Sequence, residues 1–198
     1  MAKRITAPLN PGWIKSIISN EYDDAELHKI VLFYVIHTPC ELISYSSIPL
    51  TYYGWNEDVW RKGILKKELF KIANLEKDKN YFSVQRTDEI RDMLNQAKMQ
   101  SDFQQEWNEE KIAIYKPNRY NDFTGILYHI RNSLAHGRFT IYPAQKPDNP
   151  DEIYFVMEDG VKKGDKFFVR ARMVLKRKTL LDWIDIIEHK AKDFQEVE

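Results

Sequence analysis

Three side chains in this sequence have the chemistry and the spacing to act on a phosphate. In the stretch Tyr128 to Phe139, Y-H-I-R-N-S-L-A-H-G-R-F, Arg131, Asn132 and His136 stand just before a glycine, Gly137. A guanidinium holds phosphate oxygens through two parallel hydrogen bonds and stabilises charge that builds up on phosphorus. An imidazole accepts and returns a proton near neutral pH, as general acid–base catalysis requires. An amide beside it can orient the ring or contact a substrate. RNA carries its own nucleophile, the 2′-hydroxyl, so a cation and a proton-transfer group beside the phosphate suffice to cleave it. Hydrolysis of DNA lacks that hydroxyl and usually recruits metal ions.

These residues need a helix to position them. Phe123, Leu127, Ile130 and Leu134 recur at helical spacing, which predicts an amphipathic helix from about Asn121. Gly137 falls where a helix C-terminus favours a left-handed residue. On an ideal helix Asn132 and His136 lie one above the other, while Arg131 sits about 140° from His136 around the axis. Arg131 and His136 therefore meet only if the helix end unwinds or a second copy of the chain supplies the partner. His136 points about 180° away from Leu127, toward solvent or a partner rather than the core. Each residue also has a plain structural role open to it. His136 can be a helix-end histidine satisfied by carbonyls or water, Arg131 one half of a salt bridge, and Asn132 a helix-end hydrogen bond. His129 and Ser133 share the His136 face and count as neighbours. Arg138 is close in sequence and can contact a phosphate.

The pattern Arg-Asn-x3-His followed by glycine resembles the signature of the HEPN superfamily. With a β-rich stretch and a last helix such as Thr179 to Ile187 behind it, the chain is similar to a plasmid-associated bacterial HEPN family. The likeness is specific over about the C-terminal 80 residues. The resemblance implies a mainly α fold, a HEPN-like helical bundle, here with a small antiparallel β insertion before the C-terminal helix. It also implies a metal-independent endoribonuclease of the toxin–antitoxin or antiphage kind, whose active site forms across a homodimer. On that reading Arg131, Asn132 and His136 are catalytic, no cofactor or metal is needed, RNA is the substrate, and an antitoxin or other regulatory protein is a further partner. The alternative is a non-catalytic module of the same family that binds RNA, nucleotide or a protein partner. Some HEPN toxins carry a tyrosine two positions after the histidine, which a partner nucleotidyltransferase modifies. Here that position is Arg138, so this control is not supported.

The rest of the composition narrows the classes. The 198 residues suit a single domain, 1–198, with a β-rich insertion at about 138–175. Acidic and basic residues balance at thirty each, which is not the signature of a strongly basic nucleic-acid binder. The charge is uneven, however. Between Val161 and Lys178 stand Lys162, Lys163, Lys166, Arg170, Arg172, Lys176, Arg177 and Lys178 against Asp165 alone. Lys162, Lys163, Arg170 and Arg172, with Arg138, are candidate RNA contacts; a solvated hairpin and helix start is the plain alternative. The longest apolar run, Ile30 to Ile36, is too short to span a bilayer, and no secretory signal opens the chain. One cysteine, Cys40, argues against a disulfide framework and suits a reducing cytoplasm. No nucleotide-binding, serine-hydrolase or zinc-protease motif is present. Asp182, Asp185 and His189 share a face of the last helix, which reads as solvated rather than metal-binding.

Along the chain the pattern predicts an irregular arm over residues 1–12, a short helix from Trp13 to Ser19, and a helix capped by Asp23 or Asp24 and ended by Pro39. A loop from Ser44 to Trp55 follows, then a helix from Asn56 to Leu75 and an extended piece at Tyr81 to Gln85. A long polar helix is predicted from Thr87 to about Lys111. After Gly137 the period changes from helical to alternating. Phe139 to Tyr142, Ile153 to Met157 and Lys166 to Leu175 read as strands, and Thr179 to about Phe194 as the last helix.

Overall fold

A mixed β-sheet with helices on both faces lies at the centre of the molecule. The structure is a computed structural model that describes residues 6–7, 24–40, 48–56, 63–100, 107–143 and 152–194. Its strands are β1 (Thr6–Ala7), β2 (Tyr81–Val84), β3 (Lys111–Tyr115), β4 (Phe139–Pro143), β5 (Ile153–Lys163) and β6 (Lys166–Lys176). Its α-helices are α1 (Ala25–Val31), α2 (Ile64–Ile72), α3 (Ile90–Gln96), α4 (Asp122–Ala135) and α5 (Arg177–His189). The order across the sheet is β2-β3-β6-β5-β4, with β1 pairing β6. β2 and β3 run parallel and the other pairs antiparallel.

This architecture corrects the expected helical bundle with a β insertion. The strands after Gly137 are not an appendage, because β2 and β3, which precede the motif helix, complete the same sheet. The decisive segment is Lys111–Tyr115, which starts where the predicted long helix ends and for which the sequence pattern predicts no element. It is instead a strand between β2 and β6, with Ile112 opposite Tyr81 and Met173. Ile112 and Ile114 enter the core under α1, α2, α4 and α5, while Ala113 faces the α3 side. A strand covered on both faces loses the polar alternation that would mark it, and a short apolar run looks alike in helix and strand. The predicted Thr87–Lys111 helix shrinks to α3, and Lys98, at φ +56°, lies just past its end. Residues 101–106 lie outside the described part, as do the predicted helix at Trp13 to Ser19, residues 44–47 of the loop and 57–62 of the second helix. Of the predicted arm, Thr6–Ala7 is a strand.

Elsewhere local chemistry explains the elements. Asp24 caps α1 by accepting from the Leu27 amide at 2.8 Å, and the helix continues as a π-helical stretch, Leu32–His37, up to Thr38 and Pro39. The large buried aromatics place their polar atoms on carbonyls. Tyr34 Oη donates to Leu180 O (3.0 Å), Trp55 Nε1 to Ile187 O (2.9 Å) and Trp183 Nε1 to Leu69 O (2.9 Å). A buried donor without an acceptor costs about 1–3 kcal/mol, so these bonds help fix the register of α5 against the π-helical stretch, α2 and the segment at Trp55.

The long β5–β6 hairpin has one irregularity. Asp159 pairs with Ala171 and Gly160 with Val169, leaving Arg170 as the extra residue of a bulge. The bulge switches the side on which β6 residues face. Ala171, Met173 and Leu175 lie in the core under the four helices, but Phe167 and Val169 lie on the α3 side. Gly160 is required there: a Cβ would stand 2.6 Å from the Phe167 ring and collide with the Phe168 carbonyl.

Candidate functional site

The helix α4 carries the predicted residues, and its two ends are closed by local sequence. Asn121 Oδ1 accepts from the Thr124 amide at 2.8 Å, an N-cap. At the other end His136 is the C-cap and Gly137 has φ +61°. Arg138 N donates to Ser133 O (2.7 Å) and Gly137 N to Leu134 O (3.1 Å), the two bonds of a Schellman ending. The chain then enters β4, and Glu158 N donates to Arg138 O at 3.0 Å. The helix end is thereby fixed to β5, and it does not unwind.

Phe123, Leu127, Ile130 and Leu134 are all buried, as the stripe predicts. The opposite side divides along its length. His129 and Ser133 are buried, Asn132 is half-buried and His136 is exposed. The sheet covers the earlier turns of this face and stops short of the last one. His129 is therefore not a solvent-facing neighbour of His136 but an interior residue, 1% exposed.

What His129 touches is the part that sequence reading missed. Its Nδ1 lies 2.7 Å from Asp159 Oδ2 and its Nε2 lies 2.7 Å from the Tyr115 carbonyl oxygen. Each ring nitrogen thus has an oxygen partner within hydrogen-bond distance, one on β5 and one on β3. Asp159 Oδ1 accepts from the Gly160 amide at 2.7 Å. Asp159 Oδ2 also accepts from Asn132 Nδ2 at 3.2 Å, and Asn132 Oδ1 accepts from Arg131 Nη1 at 3.3 Å. The signal in the sequence was Glu158–Asp159–Gly160, two acids and a glycine inside an apolar strand run.

These bonds bring together two of the three predicted catalytic residues. Arg131 and His136 leave the helix on different sides, but the arginine side chain bends back to the Asn132 amide, one turn below His136. Among the described residues no carboxylate lies within ion-pair distance of Arg131, which is half-buried.

The candidate RNA contacts do not form one surface. Arg172, 3% exposed, is an interior residue. Its Nε donates to Glu158 Oε2 (3.1 Å) and its Nη1 to the carbonyls of Met99 (2.6 Å) and Gln100 (2.8 Å). Arg138 pairs with the other Glu158 oxygen and lies 3.6 Å over the Phe167 ring. A carboxylate held between two guanidiniums away from water organises the interior rather than a ligand. Further along the stretch, Lys176 pairs with Glu152, Arg177 with Asp24 and Glu26, and Lys178 with Asp182. Lys162, Lys163 and Lys166 at the hairpin tip are exposed, and Arg170 stacks over Tyr115 at 5.6 Å.

Cys40 is buried, and burial pushes its thiol up to about 12 against the opposing pull of the Thr38 hydrogen bond and the Arg131 charge. It is no nucleophile at neutral pH. Among the described residues no group of three or more His, Cys, Asp or Glu is arranged to hold a metal ion, and no helix is long and apolar enough to cross a membrane. Compared with models of protein families, with curated proteins and with solved structures, the chain shows no match.

Proposed function

We propose that the C-terminal end of α4 is a phosphodiester site and that the protein cleaves RNA there by acid–base transesterification, without a metal. The observation that carries this reading is the state of Arg131. A neutral amide orients its guanidinium, and among the described residues no carboxylate neutralises it, on the same helix end that exposes the His136 imidazole. Arg177, at the start of α5, differs from Arg131: its guanidinium ends on two acids, Asp24 and Glu26.

In this mechanism Arg131 binds the scissile phosphate and stabilises the charge of the pentacoordinate state. His136 takes the proton of the 2′-hydroxyl or delivers one to the departing 5′-oxygen. The 2′-oxygen forms a bond to phosphorus, the P–O5′ bond breaks, and the products are a 2′,3′-cyclic phosphate and a 5′-hydroxyl. The second proton transfer needs a second group, and His129 is locked in the interior. A homodimer around a two-fold axis supplies a second His136 to one cleft. The Arg131–His136 resemblance to the HEPN signature points to the same reaction and the same dimer, in the setting of a toxin or defence effector; the helical-bundle fold of that family is not part of the proposal. Binding of RNA or nucleotide without cleavage is the second reading, favoured by the single exposed imidazole on this helix end.

The test is incubation of the purified protein with mixed RNA in excess EDTA, wild type beside His136→Ala. Cleavage that persists in EDTA and disappears in the variant supports the proposal. Activity lost in EDTA and restored by Mg²⁺ or Mn²⁺ removes the metal-free mechanism. Binding with no cleavage by wild type leaves the second reading.

A further inference from the structure

We infer that Asp159, held by His129, is a positioning residue of the proposed site: it sets the direction of the Asn132 amide and through it the place of the Arg131 guanidinium. The inference rests on the RNA-cleaving reading and deepens it. A carboxylate only accepts hydrogen bonds, so the Asn132 face turned toward Asp159 Oδ2 at 3.2 Å is its NH2. The amide oxygen is then left on the far side, where Arg131 Nη1 finds it at 3.3 Å. If the amide were reversed, an NH2 would face the guanidinium, and two donors repel. The choice made at Asp159 therefore decides whether Arg131 is held at all.

Asp159 has little freedom to move. It is 3% exposed, its Oδ1 accepts from the Gly160 amide at 2.7 Å, and its Oδ2 lies 2.7 Å from His129 Nδ1. His129 in turn is tied to the Tyr115 carbonyl at 2.7 Å. The anchor thus spans β3, α4 and β5 and ends on a side chain at the edge of the interior. A purely structural ion pair between helix and sheet would be complete with His129 and Asp159. It gives no reason for Oδ2 to be shared with Asn132, and none for the chain of bonds to continue to a cation that has no carboxylate partner among the described residues. Displacing a group that binds the reacting phosphate by about 1 Å can slow a reaction on the order of 100-fold, so a fixed amide matters more here than its single hydrogen bond suggests.

The test is a double-mutant cycle of Asp159→Asn and Asn132→Ala. Two probes are used: cleavage of a short fluorescent RNA in EDTA, and binding of its 2′-O-methyl version, which transesterification cannot cleave. Asp159→Asn alone should lower kcat by about 10- to 100-fold with a much smaller change in affinity for the 2′-O-methyl probe. In the Asn132→Ala background the same change should lower kcat less than about twofold, because the two residues act as one unit. Additive effects, or a loss seen only in thermal stability, overturn the positioning role. Should Asp159→Asn fail to fold, wild-type NMR decides. The Asn132 side-chain amide protons, assigned by their disappearance in Asn132→Ala, should exchange more slowly than those of exposed Asn95; equal exchange overturns the inference. If Arg131→Ala and His136→Ala leave cleavage intact, the RNA-cleaving reading falls and this role with it. If both abolish cleavage while the cycle is additive, only the positioning role falls.

Discussion

Charged side chains stand near both ends of α4, but only the N-terminal turn holds the charge that a helix dipole favours, Asp122, and no basic residue lies in the last turn. At the N-terminus Asp122 receives Lys66 and Lys116, the latter at 2.8 Å. The Asp122 carboxylate complements the dipole at the start of the helix, and the two lysines neutralise that carboxylate. At the C-terminus the cation, Arg131, is held by an amide, and the anion, Asp159, lies a residue away, shared between His129 and Asn132. The first arrangement stabilises a helix and does nothing more. The second leaves a positive group oriented and uncompensated among the described residues, next to an exposed imidazole. The contrast separates a structural charge cluster from one arranged to receive a ligand.

The sharpest way to break the comparison is to remove one charge from each end. Arg131→Ala should lower RNA cleavage by about 100-fold or more, the scale of losing a group that stabilises transition-state charge, while the melting temperature stays close to wild type. Asp122→Ala should do the opposite, keeping cleavage per folded molecule and losing about 1 kcal/mol in urea unfolding, because half-buried Lys116 is left without its partner. Equal effects of the two changes on activity would erase the distinction. Arg131→Lys should stay well below wild type, since an ammonium cannot make the two-pronged contact. If the cleft is shared across a two-fold axis, mixing Arg131→Ala with His136→Ala protein should recover part of the activity that neither has alone; no recovery from a confirmed mixed dimer would place both groups in one protomer.

A smaller effect concerns the hairpin tip. Lys162→Gln with Lys163→Gln should weaken RNA binding and reduce the slope of log affinity against log salt by about 1.4, at roughly 0.7 per released counterion on a single strand. An unchanged slope would leave the tip as solvated surface. Arg172 is not part of this test, because Glu158 and two carbonyls hold it in the interior.

The smallest effect is a pH dependence at the N-terminal end. Burial alone would raise the Asp122 carboxyl, but hydrogen bonds from Lys116 and Lys66 outweigh it and hold the group down at about 2, against 3.8 in the unfolded chain. A group with a depressed folded value contributes stability above its unfolded value and loses it as the pH falls through the folded one. Urea midpoints should therefore drop between about pH 4 and pH 2, and Asp122→Asn should flatten that part of the curve. An unchanged curve would show that the lysines do not hold this carboxylate.

The sequence made some of this legible and hid the rest for physical reasons. The α4 stripe, its Asn121 start and Gly137 end, the strands after it and the last helix follow from periodicity and capping. Lys111–Tyr115 was hidden because a strand buried on both faces shows no alternation of polar and apolar residues. That one segment turned an expected bundle into a sheet with helices on both faces. At the site, Arg131, Asn132 and His136 stood out as a local pattern. Asp159 did not, because its link to Asn132 spans 27 positions and depends on how β5 lies against α4. The basic stretch misled for a related reason: charge read along the chain says nothing of which side of a strand each residue takes, and the bulge at Arg170 changes that side.

The measurement that bears most directly on the phosphodiester site uses an oligonucleotide that is deoxy throughout except for one ribonucleotide. It is incubated with the wild-type protein in excess EDTA, and the products are read by mass spectrometry. The account predicts a single cut after the ribonucleotide, with a 2′,3′-cyclic phosphate on one fragment and a 5′-hydroxyl on the other, and no cut with Arg131→Ala or His136→Ala. Cuts at deoxy positions, 5′-phosphate ends, or full activity in either variant would contradict it.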